Sequence, residues 1–147
     1  NRCVEKKYLS WDDVHKLSDV LATKIKYNVK EPINSIVGLA RGGLIPATII
    51  ANYLGIRKVY SIGAASYNGD QKTDNMEIYQ ELPQGTKDKI NIFVDDISDT
   101  GDTFKTLFPD RNSYTATLHI KPHTGYIPTF YQDKINNDTW IVYPWEC

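Results

Sequence analysis

Apolar residues recur along the chain with two different periods, and the alternation between them predicts most of its elements. Ser10-Trp11-Asp12-Asp13 reads as a capping box in which Asp13 takes the place of the usual Glu. Val14, Leu17, Leu21 and Ile25 follow at helical spacing, so an amphipathic helix is expected over residues 11–27, closed off by Pro32. Residues 33–39 are a short apolar run, the signature of a buried strand. Ala40-Arg41-Gly42-Gly43 is a turn, after which residues 44–54 return to helical spacing and stop at Gly55, a good C-cap. Residues 58–65 are the next strand. Residues 66–79 are polar, bear Gly and Asn and lack periodicity, so they read as a mobile loop with room for a strand at the far end.

Pro83-Gln84-Gly85 marks another turn. A third strand is expected at residues 90–94, a short helix at 101–108, and a fourth strand at 113–120, where Tyr114, Ala116, Leu118 and Ile120 share one face. Beyond Lys121-Pro122 the pattern becomes irregular and aromatic, ending in Trp140-Ile141-Val142-Tyr143-Pro144-Trp145. Strands alternating with helices predict an α/β fold with a parallel sheet. Such sheets bind ligands at the carboxyl ends of their strands. The two unusual turns, at residues 40–43 and 95–103, both fall at that edge.

Composition narrows the classes of function. The chain has 147 residues, the size of one domain, and its 41% apolar content is enough for a core. Lys plus Arg is 17 and Asp plus Glu is 18, a formal charge of −1 with no basic stripe, which argues against nucleic acid as a partner. No apolar run approaches the roughly 20 residues of a membrane span. The start shows no signal-peptide pattern, and Cys3 and Cys147 lack metal-site spacing. The expectation is two free thiols in a reducing cytoplasm.

The chemistry concentrates in VDDISDTGDT, residues 94–103, where four aspartates crowd a strand end and a turn. A calcium loop starting at Asp95 fails, because Ile97 and Thr106 stand where Asp or Asn and Glu are needed. Neither GxxxxGK[ST] nor GxGxxG occurs anywhere in the chain. An acidic helix start complementing the helix dipole accounts for one or two of the aspartates. A combined sugar and phosphate site accounts for all of them. Thr100-Gly101-Asp102-Thr103 turns from strand into helix, where backbone N–H groups and hydroxyls converge on an anion. Asp95 and Asp96, which an extended chain points to opposite sides, would accept hydrogen bonds from vicinal hydroxyls or hold Mg²⁺.

VDDISDTGDT resembles the 5-phosphoribosyl-1-pyrophosphate (PRPP) motif of type I phosphoribosyltransferases. ARGGLIPA at residues 40–47, ASY at 65–67, IKP at 120–122 and DTWIVYPWE at 138–146 follow in the order of that family's bacterial xanthine–guanine phosphoribosyltransferase branch. The resemblance runs from about Lys7 to Glu146. It implies a Rossmann-like core over about residues 8–120 and a small C-terminal base-binding hood over about 121–147, in one domain. It implies purine salvage: transfer of the 5-phosphoribosyl group from PRPP to a 6-oxopurine, with release of pyrophosphate and help from Mg²⁺. A PRPP-sensing regulator of the same fold is the alternative. Family members are usually homo-oligomers, dimeric or tetrameric.

The same resemblance assigns roles. Asp99, Thr100, Gly101, Asp102 and Thr103 would surround the 5-phosphate, and Asp95 and Asp96 the ribose hydroxyls, with Asp96 nearer Mg²⁺. Asp99 would exchange a proton at purine N7, while the residues alone equally allow an N-cap for the next helix. Arg41 and Gly42 would meet pyrophosphate through a turn that is often cis in relatives. Lys121 would meet the exocyclic oxygen of the base, Trp140 would stack on it against a bland reading as core, and the Ile141 main chain would meet its 2-position. Trp145 is expected to pack. Residues 66–79 match a lid with Ser66, Tyr67 and Lys72 as ligand contacts.

Asp102 departs from the family pattern by standing where a second glycine is common, and Asp accepts a positive φ less readily. His119 and His123 are four apart, but Pro122 rules out a helical metal pair. His15 is expected on a helix surface.

Overall fold

Among the residues described by the structure, a computed structural model covering 4–66, 76–108 and 113–146, two sheets form. In chain order the elements are β1 Glu5–Tyr8, α1 Trp11–Asn28, β2 Ser35–Leu39, α2 Leu44–Leu54, β3 Val59–Ser66, β4 Met76–Gln80, β5 Asn91–Ser98, α3 Asp102–Leu107, β6 Tyr114–Ile120, β7 Phe130–Lys134 and β8 Thr139–Val142. The six-stranded sheet runs β4-β3-β2-β5-β6-β7. All its pairings are parallel except β3 with the edge strand β4. Residues 67–75, with Tyr67 and Lys72, lie outside the described residues, as do Cys3 and Cys147.

Alternation along the buried strands explains the two layers of core. Ile36, Ile92 and Val94 pack with Val14, Leu21 and Ile25 of α1 and with Ala47 and Ile50 of α2. Val37, Leu39 and Phe93 pack with Phe104 and Leu107 of α3. A strand covered on both faces is apolar at consecutive positions, which is why β2 and the first half of β5 read as runs. The α1 capping box forms as expected: Asp13 N–H donates to Ser10 Oγ at 3.0 Å and Ser10 N–H donates to Asp13 Oδ2 at 2.8 Å. Gly55, at φ 70°, closes α2.

Three strands lie beyond the sequence pattern. β1, four exposed residues, pairs in parallel with β8, placing Lys6 opposite Trp140 and Lys7 opposite Ile141. β7 closes the far edge of the main sheet on β6. These strands are short, and β1 and β8 find each other across almost the whole chain. β5 also outruns its apolar segment: it continues to Ser98 because its ladder with β6 continues to Ser98 opposite Ile120. Asp95 and Asp96 therefore lie within the strand rather than after it.

Candidate active site

Two turns meet at the carboxyl edge of β2 and β5. The first, residues 40–43, leads from β2 into α2 and contains a cis peptide between Ala40 and Arg41. Gly42 faces the Asp96 side chain so closely that a Cβ there would overlap Oδ2. Gly43 is tighter against backbone: a Cβ would collide with the Val94 carbonyl and lie within 3 Å of Leu39 N and O. A cleft of about 620 Å³ opens here between Arg41, Gly42, Asp96, Trp145 and Glu146.

The second turn follows β5. Gly101 takes the left-handed φ of 90°, and Asp102 is the first residue of α3. The strain anticipated for Asp102 does not arise, because the positive φ falls one residue earlier. A Cβ at Gly101 would strike Tyr126 N, and Gly125 N–H donates to the Thr100 carbonyl at 2.8 Å. Segment 124–126 thus backs the turn. Thr100 Oγ1 accepts from Asp102 N–H at 3.3 Å, and Thr103 follows in the first turn of the helix.

Asp95 and Asp96 do not simply point apart. Burial pushes the Asp95 carboxyl well above the usual carboxylate range, and the charge of Asp96 adds to it, while Asp95 Oδ1 accepts from the Asp96 N–H at 2.8 Å. Burial also raises Asp96, to about 6, against the lowering effect of hydrogen bonds from Asp95 and from the Ile97 N–H. Glu146 raises Asp96 further through its charge. The Asp96 side chain faces Gly42. Among the described residues no three His, Cys, Asp or Glu side chains group around one point to hold a metal alone. A hard cation at Asp96 would complete its shell with ligand and water oxygens, as Mg²⁺ commonly does.

Register brings the third part together. Ser98 pairs with Ile120, so Asp99 and Lys121 leave adjacent parallel strands side by side. Lys121 Nζ lies 3.5 Å from Asp99 Oδ2 and donates to the Asn137 carbonyl at 3.1 Å. Asp99 does not cap α3: the N-cap is Gly101, with no side-chain cap. It is held instead by Lys121 and by His123, whose Nε2 is 2.6 Å from Oδ1. Sequence reasoning gave His123 no role, and only the strand register could have revealed one.

A smaller cavity of about 190 Å³ lies over this pair, walled by Asp96, Asp99, Lys121, Trp140, Ile141 and Glu146. Along β8 Trp140 points outward and is 58% exposed while Ile141 is buried, so Trp140 is a rim residue and not core. The two cavities share Asp96 and Glu146. Trp145 both lines the larger cleft and stacks on Tyr143 at 4.9 Å, so packing is only half of what it does. Glu146 closes the recognised DTWIVYPWE segment, yet no pattern in the sequence singled it out as a wall of both cavities.

Tyr143, just after β8, ties that segment to β5. Its hydroxyl donates to the Asp96 carbonyl at 3.2 Å and contacts His119 Nδ1 at 2.8 Å. Because that hydroxyl has one hydrogen, Nδ1 carries the proton in the His119 contact. Burial lowers the His119 pKa to about 4, so the ring is neutral. His119 is therefore a buried support, and His15 is an exposed helix residue near Asp19, as expected. Arg41, Gly42, Asp96, Asp99, Lys121, Trp140 and Ile141 line one or other of the two cavities, whereas Asp95 and residues 100–103 line neither. Lys72 lies outside the described residues.

The sequence profile of the phosphoribosyl transferase domain matches residues 6–146. A xanthine-guanine phosphoribosyltransferase of Cereibacter sphaeroides is 33% identical over 95% of this chain and 86% of its own. The crystal structure of a purine phosphoribosyltransferase from Pyrococcus horikoshii superposes with a TM-score of 0.82 at 33% identity, covering 97% of this chain and 95% of that one. A Neisseria gonorrhoeae protein crystallised with ppGpp superposes at 0.78 with 26% identity, over 100% and 92% of the two chains. This chain belongs to the phosphoribosyltransferase family and is a glycosyltransferase enzyme.

Proposed function

We propose that the enzyme transfers the 5-phosphoribosyl group of PRPP to a ring nitrogen of a 6-oxopurine and releases pyrophosphate. The observation that carries this reading is the pairing of Lys121 with Asp99 beneath a cavity rimmed by Trp140, adjoining the Arg41–Asp96 cleft. In it the turn at residues 99–103 takes the 5-phosphate through backbone donors at the start of α3. Asp95 and Asp96 take the ribose hydroxyls, and Arg41 and the Gly42 backbone take the pyrophosphate. Both carboxyls offer acceptor oxygens to the vicinal hydroxyls, and burial raises the pKa of each.

In the smaller cavity Lys121 donates to the 6-oxo group, which an ammonium rewards; a 6-amino group in its place would face donor against donor. Trp140 offers its exposed ring for stacking, and Ile141 its main chain for the 2-position. As the ring nitrogen attacks C1 of the sugar, the C1–O bond to pyrophosphate breaks and pyrophosphate leaves with the electron pair. Asp99 accepts the proton lost from the purine at N7. Carboxylates near the sugar stabilise the positive charge that builds there. The donor set around Asp96 fits Mg²⁺ shared with ligand oxygens, and bound Mg²⁺ supplies neutralisation of the departing pyrophosphate. The named activities of the Cereibacter and Pyrococcus relatives support a purine acceptor.

PRPP-dependent pyrophosphate release, measured with guanine, xanthine, hypoxanthine, adenine, uracil and orotate, tests the reading. Turnover with 6-oxopurines and little with the other three is expected. PRPP binding without turnover on any base would overturn it and favour a PRPP-binding regulator.

A further inference from the structure

The interaction that the family pattern did not supply is the 2.6 Å contact between His123 Nε2 and Asp99 Oδ1. It is built from several directions. Lys121-Pro122-His123-Thr124 is a turn closed by Thr124 N–H on the Lys121 carbonyl at 3.0 Å, with proline at the second position that its fixed φ suits. The His123 N–H donates to Asn137 Oδ1 at 3.1 Å, and the carbonyl of the same Asn137 accepts from Lys121 Nζ. Asn137 therefore fixes both groups that face Asp99. The flanks of Asp99 are also held: Ser98 Oγ lies 2.9 Å from Thr124 Oγ1, and Thr100 accepts from Gly125.

His123 is absent from the wall of the 190 Å³ cavity that Asp99 and Lys121 line. It meets the carboxylate from outside the space a base would fill. Each oxygen of Asp99 then has an assigned direction, Oδ1 to His123 and Oδ2 to Lys121 and the cavity.

We propose that His123 is a positioning residue for Asp99: its Nε2–H holds Oδ1, so that Oδ2 is kept facing the base beside Lys121. This rests on the purine phosphoribosyltransferase reading above. Asp99 is nearly half exposed on a turn, and without His123 its carboxylate would keep only the longer 3.5 Å contact with Lys121. Small misplacement of a reacting group costs on the order of 10²-fold in rate.

The test is kinetic with an independent structural readout. H123A should lower kcat about 10–100-fold, with the KM for PRPP nearly unchanged. H123Q should restore most of the rate, because the glutamine Nε2 reaches and donates where the imidazole does, whereas H123N is too short and should not. In the D99N background H123A should cost nothing further. Long-range ¹H–¹⁵N spectra should show the His123 ring signals moving on D99N. An H123A or H123N enzyme with unaltered kcat sinks the role, and one with raised kcat shows that the imidazole competes with the base instead. If H123A does not fold, H123Q against H123N and the spectra decide. A wild-type enzyme inert with every base, whose His123 signals still respond to D99N, would instead place the failure in the purine-transfer reading.

Discussion

Gly42 and the Asp96 carboxylate lie in contact across the two turns, with no room for a Cβ between them. A glycine in one motif thus makes space for an acid in the other, though 54 residues (96 − 42 = 54) separate them in the chain. The relation couples whatever the first turn binds to the position of Asp96. It also separates the two adjacent glycines, since Gly42 meets a side chain and Gly43 meets backbone.

Substituting alanine at each should therefore give different outcomes. G42A can be accommodated by moving the tip of Asp96, so the fold should persist while affinity for PRPP with Mg²⁺ falls about tenfold or more. G43A would drive a methyl into the Val94 carbonyl and should cost stability on the order of 1–3 kcal/mol. Thermal melts with and without PRPP distinguish the two. Equal loss of stability in both variants would contradict the contact.

The acid pair sets a pH dependence for the ligand-free protein. Asp96 is raised to about 6 and Asp95 further, both above an ordinary value of 3.8, mainly through burial. Between those values the folded state binds more protons than the unfolded one, so the stability these groups contribute is present below pH 4 and lost as pH rises through about 6. D96N should flatten that fall and stabilise the ligand-free protein at pH 7.5 by on the order of 2 kcal/mol, while weakening Mg²⁺-dependent PRPP binding. Denaturant melts from pH 4.5 to 7.5 check the sign; stability that rises over that interval in the wild type and is unaltered in D96N would refute it.

Much of this architecture could be read along the chain, and the exceptions share a cause. The capping box at Ser10, the Gly55 stop and the apolar runs of β2 and β5 are local signals, each decided within a few residues. β1 and β8 are four residues each, and β1 is wholly exposed; their pairing is decided by residues more than a hundred positions apart. Asp96 and Asp99 stood out because acids rarely crowd a strand end. His123 and Glu146 did not, because a lone polar residue after a strand or near a terminus has no local signature. Their neighbours are supplied by the β5–β6 register and by the hood.

Asp99 is the group whose loss should separate binding from chemistry. D99N keeps the shape of the side chain, but it cannot accept a proton and it sets an NH2 against one of the two donors, His123 or Lys121, that the carboxylate faces. Turnover should fall about 10²–10⁴-fold while the Kd for PRPP changes little. Pre-steady-state pyrophosphate release and PRPP titration measure the two separately. A variant that loses PRPP in proportion to its rate would assign Asp99 to the sugar phosphate alone.

Trp140 should behave as a ligand residue and not as part of the core. Its ring is 58% exposed, so W140A should shift stability by no more than about 0.5 kcal/mol. Base affinity should drop by about 1–3 kcal/mol, with guanine, xanthine and hypoxanthine affected alike because stacking is indifferent to the exocyclic groups. W140F should recover most of the loss. A strongly destabilised W140A would mean that the ring supports the hood rather than the ligand.

Tyr143 links the end of β8 to β5, and removing one oxygen tests that link. In Y143F the Asp96 carbonyl and the His119 Nδ1–H both lose the hydroxyl between them, beside two buried rings. Leaving buried polar groups unsatisfied costs about 1–3 kcal/mol each, so the melting temperature should drop although the ring and its stack on Trp145 remain. The loss should reach further than stability, because the hydroxyl is what fixes β8 and the wall at Ile141 relative to Asp96. KM for the base should therefore rise along with the Kd for PRPP, whereas a purely structural hydroxyl would lower stability and leave both constants alone. The double variant Y143F/H119L, which removes the stranded imidazole as well, should regain part of the lost stability without restoring the binding constants.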